Sequence, residues 1–342
     1  MLYHFDATHR WFPGGSLGVD IFFVLSGFLI TSLLLEERSR HGANSLLGFY
    51  RRRARRLLPA LVLFLAIFAV ITIVSAQPGA ERLPGTIGMT LLYVFNWLDD
   101  FGGSGVPGAG HLWSLSVEEQ FYLLWPLVLI IALRSRAVAL IWFSLAAFAI
   151  SASLPAWSGR EYGDLYTGTD FRAQQLMAGA ILAQLRFAGV ITPAFVNRVP
   201  FRAAHVLAVL FFTAFILTME NRPAFLFTGM YTAAAVLGGV LVCAALYAPP
   251  RILTNGVLRY VGTRSYALYL WHHVFDFWLR DLADLPQLAL SVVLSFAAAE
   301  VSWWLVEGRD SLLWKVAGAL RQRFTRPDSE SIAVRPAVAT QR

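Results

Sequence analysis

The chain has 342 residues, 57% of them hydrophobic and 14% charged, with a formal net charge of +7. A soluble domain carries about 25% charged residues, so this composition excludes an ordinary soluble fold. Apolar runs of spanning length recur along the whole chain and point to one polytopic membrane domain.

In chain order, residues 1–5 read as the last turn of a helix whose beginning precedes the sequence, and the start carries no cleavable signal pattern. Spanning helices are predicted near 18–35, 57–76, 115–133, 137–155, 173–188, 203–219, 229–248, 260–280 and 287–306. Each has about the length that crosses the hydrocarbon core. The expected fold is an all-α, polytopic transmembrane helix bundle. A shorter apolar stretch at 86–98 is decided by the surrounding charges. If it crossed fully, Arg134, Arg186, Arg198 and Arg202 would lie outside. If it is re-entrant, they join the basic loop 38–56, Arg251, Arg259 and the basic tail inside, as the positive-inside rule requires. The stretch is therefore read as re-entrant, under protein or a water-filled cavity. The glycine-rich residues 102–110 then form a mobile outer loop. Nine spans with a cytoplasmic C-terminus put the N-terminus outside, and a tenth, upstream span would return it. Residues 1–310 are taken as the membrane domain and 311–342 as a basic, partly disordered cytoplasmic tail.

The basic residues are clustered, which fits topology control and anionic lipid rather than nucleic acid. The lone cysteine, Cys243, excludes an intramolecular disulfide and a multi-cysteine metal site, and reads as a packed thiol.

Several polar groups stand out against this apolar background. His4 and His9 precede the first complete span; His4 alone reads as interfacial and His9 as loop. Asp20, Ser26 and Gly27 sit on that span. An acid at membrane depth needs a partner or a task, and glycine allows close helix approach. In the basic block 51–56, Arg53 and Arg56 are three apart and share a helix face. These guanidiniums either anchor the chain on the positive-inside rule or grip phosphates bidentately at a cytoplasmic mouth. The run His-Leu-Trp-Ser-Leu-Ser-Val-Glu-Glu-Gln-Phe-Tyr at 111–122 is the most specific cluster. Helix capping by Ser114 explains a serine and one acid, but not His111, Trp113, Ser116, two glutamates and Tyr122 together. A histidine with a carboxylate is what general-base chemistry needs. Asp170 and Arg172 open a span, as an ion pair, a cap or a substrate contact. Trp271, His272 and His273 lie within another span; no carboxylate at helical metal-ligand spacing accompanies the histidines, so no metal is expected.

Read in order, these blocks resemble the acyltransferase-3 family of integral membrane O-acyltransferases. The matching runs are 18–31, 52–59, 111–122 and 265–272, with weaker matches at 170–172 and 306–307. The resemblance implies about ten spans and a multi-pass protein of the bacterial cytoplasmic membrane. It also implies transfer of an acyl group, by default acetyl, from acyl-CoA to a hydroxyl of a cell-envelope polysaccharide, lipid-linked sugar or glycosylated small molecule. Its first helix carries an Arg, ten residues, then a His that His4 matches; the Arg would lie upstream of Met1. By resemblance His4 and Glu118 are catalytic, with Glu118 orienting the base. Arg52, Arg53 and Arg56 bind the donor's phosphates. His111, Trp113, Ser114, Ser116, Asp170 and Arg172 contact substrate. Asp20, Ser26, Gly27, Tyr122, Trp271 and His272 support the site. The alternative is a secondary transporter or export protein for a sugar or lipid, against which no inverted, interrupted-helix repeat is visible.

Overall fold

The computed structural model of the protein describes residues 14–77, 79–98, 105–135, 137–160, 162–218, 229–282, 284–308 and 311–316. Every regular element among them is helical, as lipid demands of a chain whose backbone donors must be satisfied internally. The helices are α1 (Gly18–His41), α2 (Leu46–Val74), α3 (Leu83–Leu91), α4 (Phe95–Leu98), α5 (Leu112–Ser135), α6 (Ala137–Trp157) and α7 (Tyr162–Thr167). There follow α8 (Thr169–Phe187), α9 (Pro193–Val196), α10 (Val199–Thr218), α11 (Tyr231–Tyr247), α12 (Gly256–Thr263), α13 (Ser265–Trp278) and α14 (Asp284–Ser302). Six stretches among the described residues are long and apolar enough to cross a membrane: Gly15–His41, Leu46–Val74, Leu112–Arg134, Val138–Trp157, Val199–Thr218 and Leu285–Val316. The fold is an all-α polytopic bundle.

Each predicted span has a helix, but three differ from the hydropathy reading for physical reasons. First, α8 is not among the six apolar stretches, because Arg172, Gln174, Gln175 and Gln184 are all buried in it. It lies at the bundle centre against α1, α6 and α11, where other helices answer its polar groups. Second, α2 begins at Leu46 rather than 57, so the basic block is helical. Arginine is a good helix former whose apolar stem lies along the helix while its head stays polar. Ser45 caps this start, accepting from Gly48 N at 3.1 Å. Third, the predicted 260–280 span is two helices, α12 and α13, meeting at Arg264. Arg264 bonds Glu300 of α14 and lies 3.8 Å from the Tyr260 ring centroid and 5.0 Å from that of Trp303.

The stretch 86–98 forms α3 and α4, of nine and four residues. Nine helical residues rise about 14 Å, about half the hydrocarbon thickness, so neither helix crosses by itself. Polar bonds hold the segment against protein. Gln120 Nε2 donates to the Tyr93 carbonyl at 2.6 Å and to Asn96 Oδ1 at 2.9 Å. Asn96 Nδ2 donates to the Thr167 carbonyl at 3.1 Å, and Val106 N to Thr86 Oγ1 at 2.9 Å. In the glycine-rich loop Gly105, Val106, Gly108 and Ala109 are buried, so this part is wall rather than a loose flap. Residues 102–104 of that loop lie outside the described residues.

Helix α1 crosses α8 in close contact. A Cβ on Gly27 would stand 2.0 Å from the Leu176 carbonyl oxygen, and one on Gly179 2.0 Å from that of Val24. Glycine on both helices lets the backbones touch, as in small-residue membrane interfaces. Cys243 is free and buried on α11. The charges assigned to the inside converge. Glu36 takes Arg186 at 3.3 Å and Arg40 at 3.9 Å, and Glu37 takes Arg52 at 3.5 Å. Arg55 lies 5.9 Å from the Trp314 ring centroid. The ends of α1 and α8, the start of α2 and residues 312–316 thus share one end of the bundle. The tail beyond 316 lies outside the described residues.

Candidate active site

One cavity of about 940 Å³ is walled by α1, α2, α5, the 105–110 loop, α7 and α12–α13. Its polar side chains fall into three groups along its length.

At one end are Arg53 and Arg56 of α2, one helical face as the spacing predicts. The Arg53 guanidinium carbon lies 4.3 Å from the Tyr122 ring centroid and 6.0 Å from that of Phe49. These aromatic faces fix the cation while leaving its N–H edge for a ligand. Arg52 does not line the cavity; it turns to Glu37.

Next along α5 is Glu118, 8% exposed. It accepts from Ser26 Oγ of α1 at 2.5 Å and from the hydroxyl of Tyr122, one turn further on α5. The Tyr122 oxygen is 3.2 Å from Ser26 Oγ, which closes a three-residue polar knot at membrane depth. Two hydroxyl donors hold the carboxylate in one orientation, and Arg53 covers the outer face of Tyr122. Glu119 points elsewhere and does not line the cavity.

At the far end three imidazoles cluster. His111 stacks on His273 at 5.1 Å and meets His272 edge-on at 5.4 Å. Each faces a backbone carbonyl: His111 Nε2 the Leu270 oxygen at 3.1 Å, His272 Nδ1 that of Tyr269 at 2.7 Å, and His273 Nδ1 that of Gly108 at 3.1 Å. Neutral rings donate at those nitrogens. Tyr269 donates to the His111 carbonyl at 2.6 Å, and Ser114 Oγ is 3.0 Å from the Tyr269 hydroxyl. Ser114 Oγ also donates to the His111 carbonyl at 3.2 Å, a bond it would exchange to reach a substrate oxygen, while His111 Nε2 is committed to the Leu270 carbonyl. Among the described residues no three His, Cys, Asp or Glu side chains are grouped as metal ligands.

Arg53, Arg56, Ser26, Glu118, Tyr122, His111, Trp113, Ser114 and His272 all meet at this cavity. Other singled-out residues stand apart from its lining. Asp170 is paired bidentately with Arg160, at 2.5 and 3.1 Å. Arg172 is fully buried and pairs with Asp20 at 3.0 Å, behind the wall. Ser116 is buried, with Oγ 3.4 Å from the Leu112 carbonyl. Trp271 packs edge-on to Phe64 at 5.1 Å in an aromatic core, and Gly27 faces α8. His4 and His9 lie outside the described residues.

The profile of the acyltransferase-3 family, described as an acyltransferase domain, matches residues 2–307. The chain belongs to this family. Among curated proteins it is 32% identical to a putative peptidoglycan O-acetyltransferase, YrhL, of Bacillus subtilis, over 89% of this chain and 51% of the relative. It is 30% identical to the peptidoglycan O-acetyltransferase OatA of Listeria monocytogenes, over 89% of this chain and 52% of the relative. A putative O-acetyltransferase of Staphylococcus aureus (strain COL) is 28% identical, over 90% of this chain and 54% of the relative. The chain thus spans about half the length of the curated relatives it matches. No solved structure matches it.

Sequence reasoning missed Tyr166, Thr167 and Tyr269, which line the cavity of this acyltransferase-family chain. Tyr269 was signalled, since Tyr266, Tyr269 and His273 recur at helical spacing on α13. Tyr166 and Thr167 end the six-residue α7, where no periodicity marks a face.

Proposed function

We propose that this protein is a membrane O-acetyltransferase that moves an acetyl group from acetyl-CoA to a hydroxyl of a cell-envelope glycan. The single observation that carries the reading is the cavity. It places two arginines at one end, a doubly hydrogen-bonded glutamate next, and a serine–tyrosine–histidine group beyond. A transporter needs no such series of phosphate-binding cations and hydrogen-bond groups along one channel. The relatives named as acting on peptidoglycan make that polymer or its precursor the first acceptor to test.

In this reading Arg53 and Arg56 hold the phosphates of the donor, and its pantetheine arm runs along the cavity toward α5. The acceptor oxygen attacks the thioester carbonyl carbon as its proton passes to a base. The C–O bond forms, the C–S bond breaks, and the proton is finally delivered to the departing thiolate. By resemblance His4 is the base. Glu118, fixed by Ser26 and Tyr122, orients the base and stabilises its protonated form. Ser114, exchanging its bond to the His111 carbonyl, donates to the developing oxyanion. Binding donor and acceptor in one enclosed space supplies the orientation that the reaction in solution lacks.

The test is direct. Full-length protein in nanodiscs is given radiolabelled acetyl-CoA and muramyl glycan strands. The proposal expects alkali-labile label on the glycan, dependent on the protein. Intact acetyl-CoA after prolonged incubation, with both substrates bound, overturns it.

A further inference from the structure

The cavity wall nearest the start of α5 is aromatic, and it is held from behind by a buried cation. Trp113 and Tyr166 both line the cavity, with ring centroids 5.1 Å apart and planes inclined by 57°. Behind them Arg172 is 0% exposed. Its guanidinium carbon lies 4.3 Å from the Tyr166 centroid, 4.7 Å from that of Tyr231 and 5.2 Å from that of Trp113. Arg172 Nε donates to the Tyr166 carbonyl at 2.6 Å, and a terminal nitrogen donates to Asp20 at 3.0 Å. Asp20 is fixed in turn by Gln175 Nε2 at 2.6 Å. The guanidinium carbon thus lies over both rings while hydrogen bonds to the Tyr166 carbonyl and Asp20 hold the group in place, a geometry that lysine's point charge does not reproduce.

Two rigid ring faces beside hydroxyl groups suit one ligand chemistry. A pyranose has an apolar C–H face and a rim of hydroxyls, and here Ser114 and Thr167 line the cavity beside the rings. The phosphate-bearing donor instead needs cations, which stand at Arg53 and Arg56. Trp113 and Glu118 are five residues apart on α5, a rise of about 8 Å. A sugar ring against Trp113 therefore reaches toward Glu118 with its substituents.

We propose that Trp113 and Tyr166 form a pyranose-stacking subsite for the acceptor, and that Arg172, through Asp20 and Gln175, is the positioning residue that presets their inclination. This rests on the glycan-acceptor reading above. Because the rings are ordered before binding, the ligand does not bear the cost of ordering them.

The test is calorimetry in nanodiscs with an N-acetylglucosamine trisaccharide and, separately, with acetyl-CoA. Trp113→Leu is expected to weaken trisaccharide binding about tenfold or more while acetyl-CoA affinity holds, and Trp113→Phe to restore most of the loss. In turnover, Arg172→Lys should raise the acceptor KM about tenfold with the donor KM unchanged. If Arg172→Lys does not fold, the Trp113→Leu and Trp113→Phe pair decides. Undiminished trisaccharide binding by Trp113→Leu, an equal loss for both ligands, or no trisaccharide binding by the wild type overturns the proposal. Trisaccharide binding without any acetyl transfer keeps the subsite and removes the acetyltransferase reading.

Discussion

Asp20 and Arg172 come from helices 152 positions apart in sequence, and their side chains are 1% and 0% exposed. Removing either partner alone strands the other's charge in the bundle core. Such a single change costs about 3–5 kcal/mol, or roughly two to nearly four orders of magnitude in the folding equilibrium. We therefore predict that Asp20→Leu and Arg172→Leu each destabilise by about that amount. The double variant should be no worse than either single, because a pair of apolar side chains leaves no stranded charge. The favourable coupling between the two changes is then at least about 3 kcal/mol, beyond the range of most contacting pairs. Equilibrium unfolding of all four proteins in mixed detergent micelles gives the cycle. A double variant destabilised by the sum of the singles would show that the two side chains act independently, and would refute the buried-pair argument.

Three further predictions follow from the geometry. Arg53→Ala combined with Arg56→Ala should raise the acetyl-CoA dissociation constant more than tenfold, at about 1.5–3 kcal/mol per charged hydrogen bond lost. Arg52→Ala, outside the cavity, should leave it within about twofold, and calorimetry separates the two cases. Gly27→Ala and Gly179→Ala, each meeting a carbonyl oxygen at 2.0 Å, should destabilise by about 1–3 kcal/mol or more. A midpoint unchanged in thermal unfolding would mean that α1 and α8 are not in backbone contact. Ser26→Ala and Tyr122→Phe each remove one hydroxyl donor from Glu118. Each should lower kcat about tenfold with little change in donor KM, and steady-state kinetics would expose the opposite pattern.

The helices were legible because lipid enforces them. Apolar runs found every long element, and 86–98, read from the charges as re-entrant, forms two short helices rather than one of spanning length. What hydropathy could not supply was how the polar contents of α8 are answered. On α8 the buried glutamines and Arg172 look like surface when read along the chain, since their partners sit on other helices. Spacing along α8 also did not reveal that Asp170 pairs with Arg160, ten positions upstream, rather than with Arg172, two residues away. Within the site, the run 111–122 was readable because its residues share one helix, whereas the bonds linking Ser26 of α1 to Glu118 and Tyr122 of α5 were not. Arg53 meeting Tyr122 was not readable, because it depends on how deeply α2 and α5 overlap. That contact also brings Arg53 much closer to the glutamate than a bundle with arginines on one side and acids on the other would have it.

The central claim is that Glu118 acts on the chemistry in a cavity whose other end binds the donor. The most direct measurement compares wild type with Glu118→Gln in nanodiscs, recording acetyl transfer to glycan and acetyl-CoA binding on the same samples. The account predicts a fall in transfer of about 10²–10⁴-fold with the donor's dissociation constant unchanged. Transfer at the wild-type rate by Glu118→Gln would contradict it.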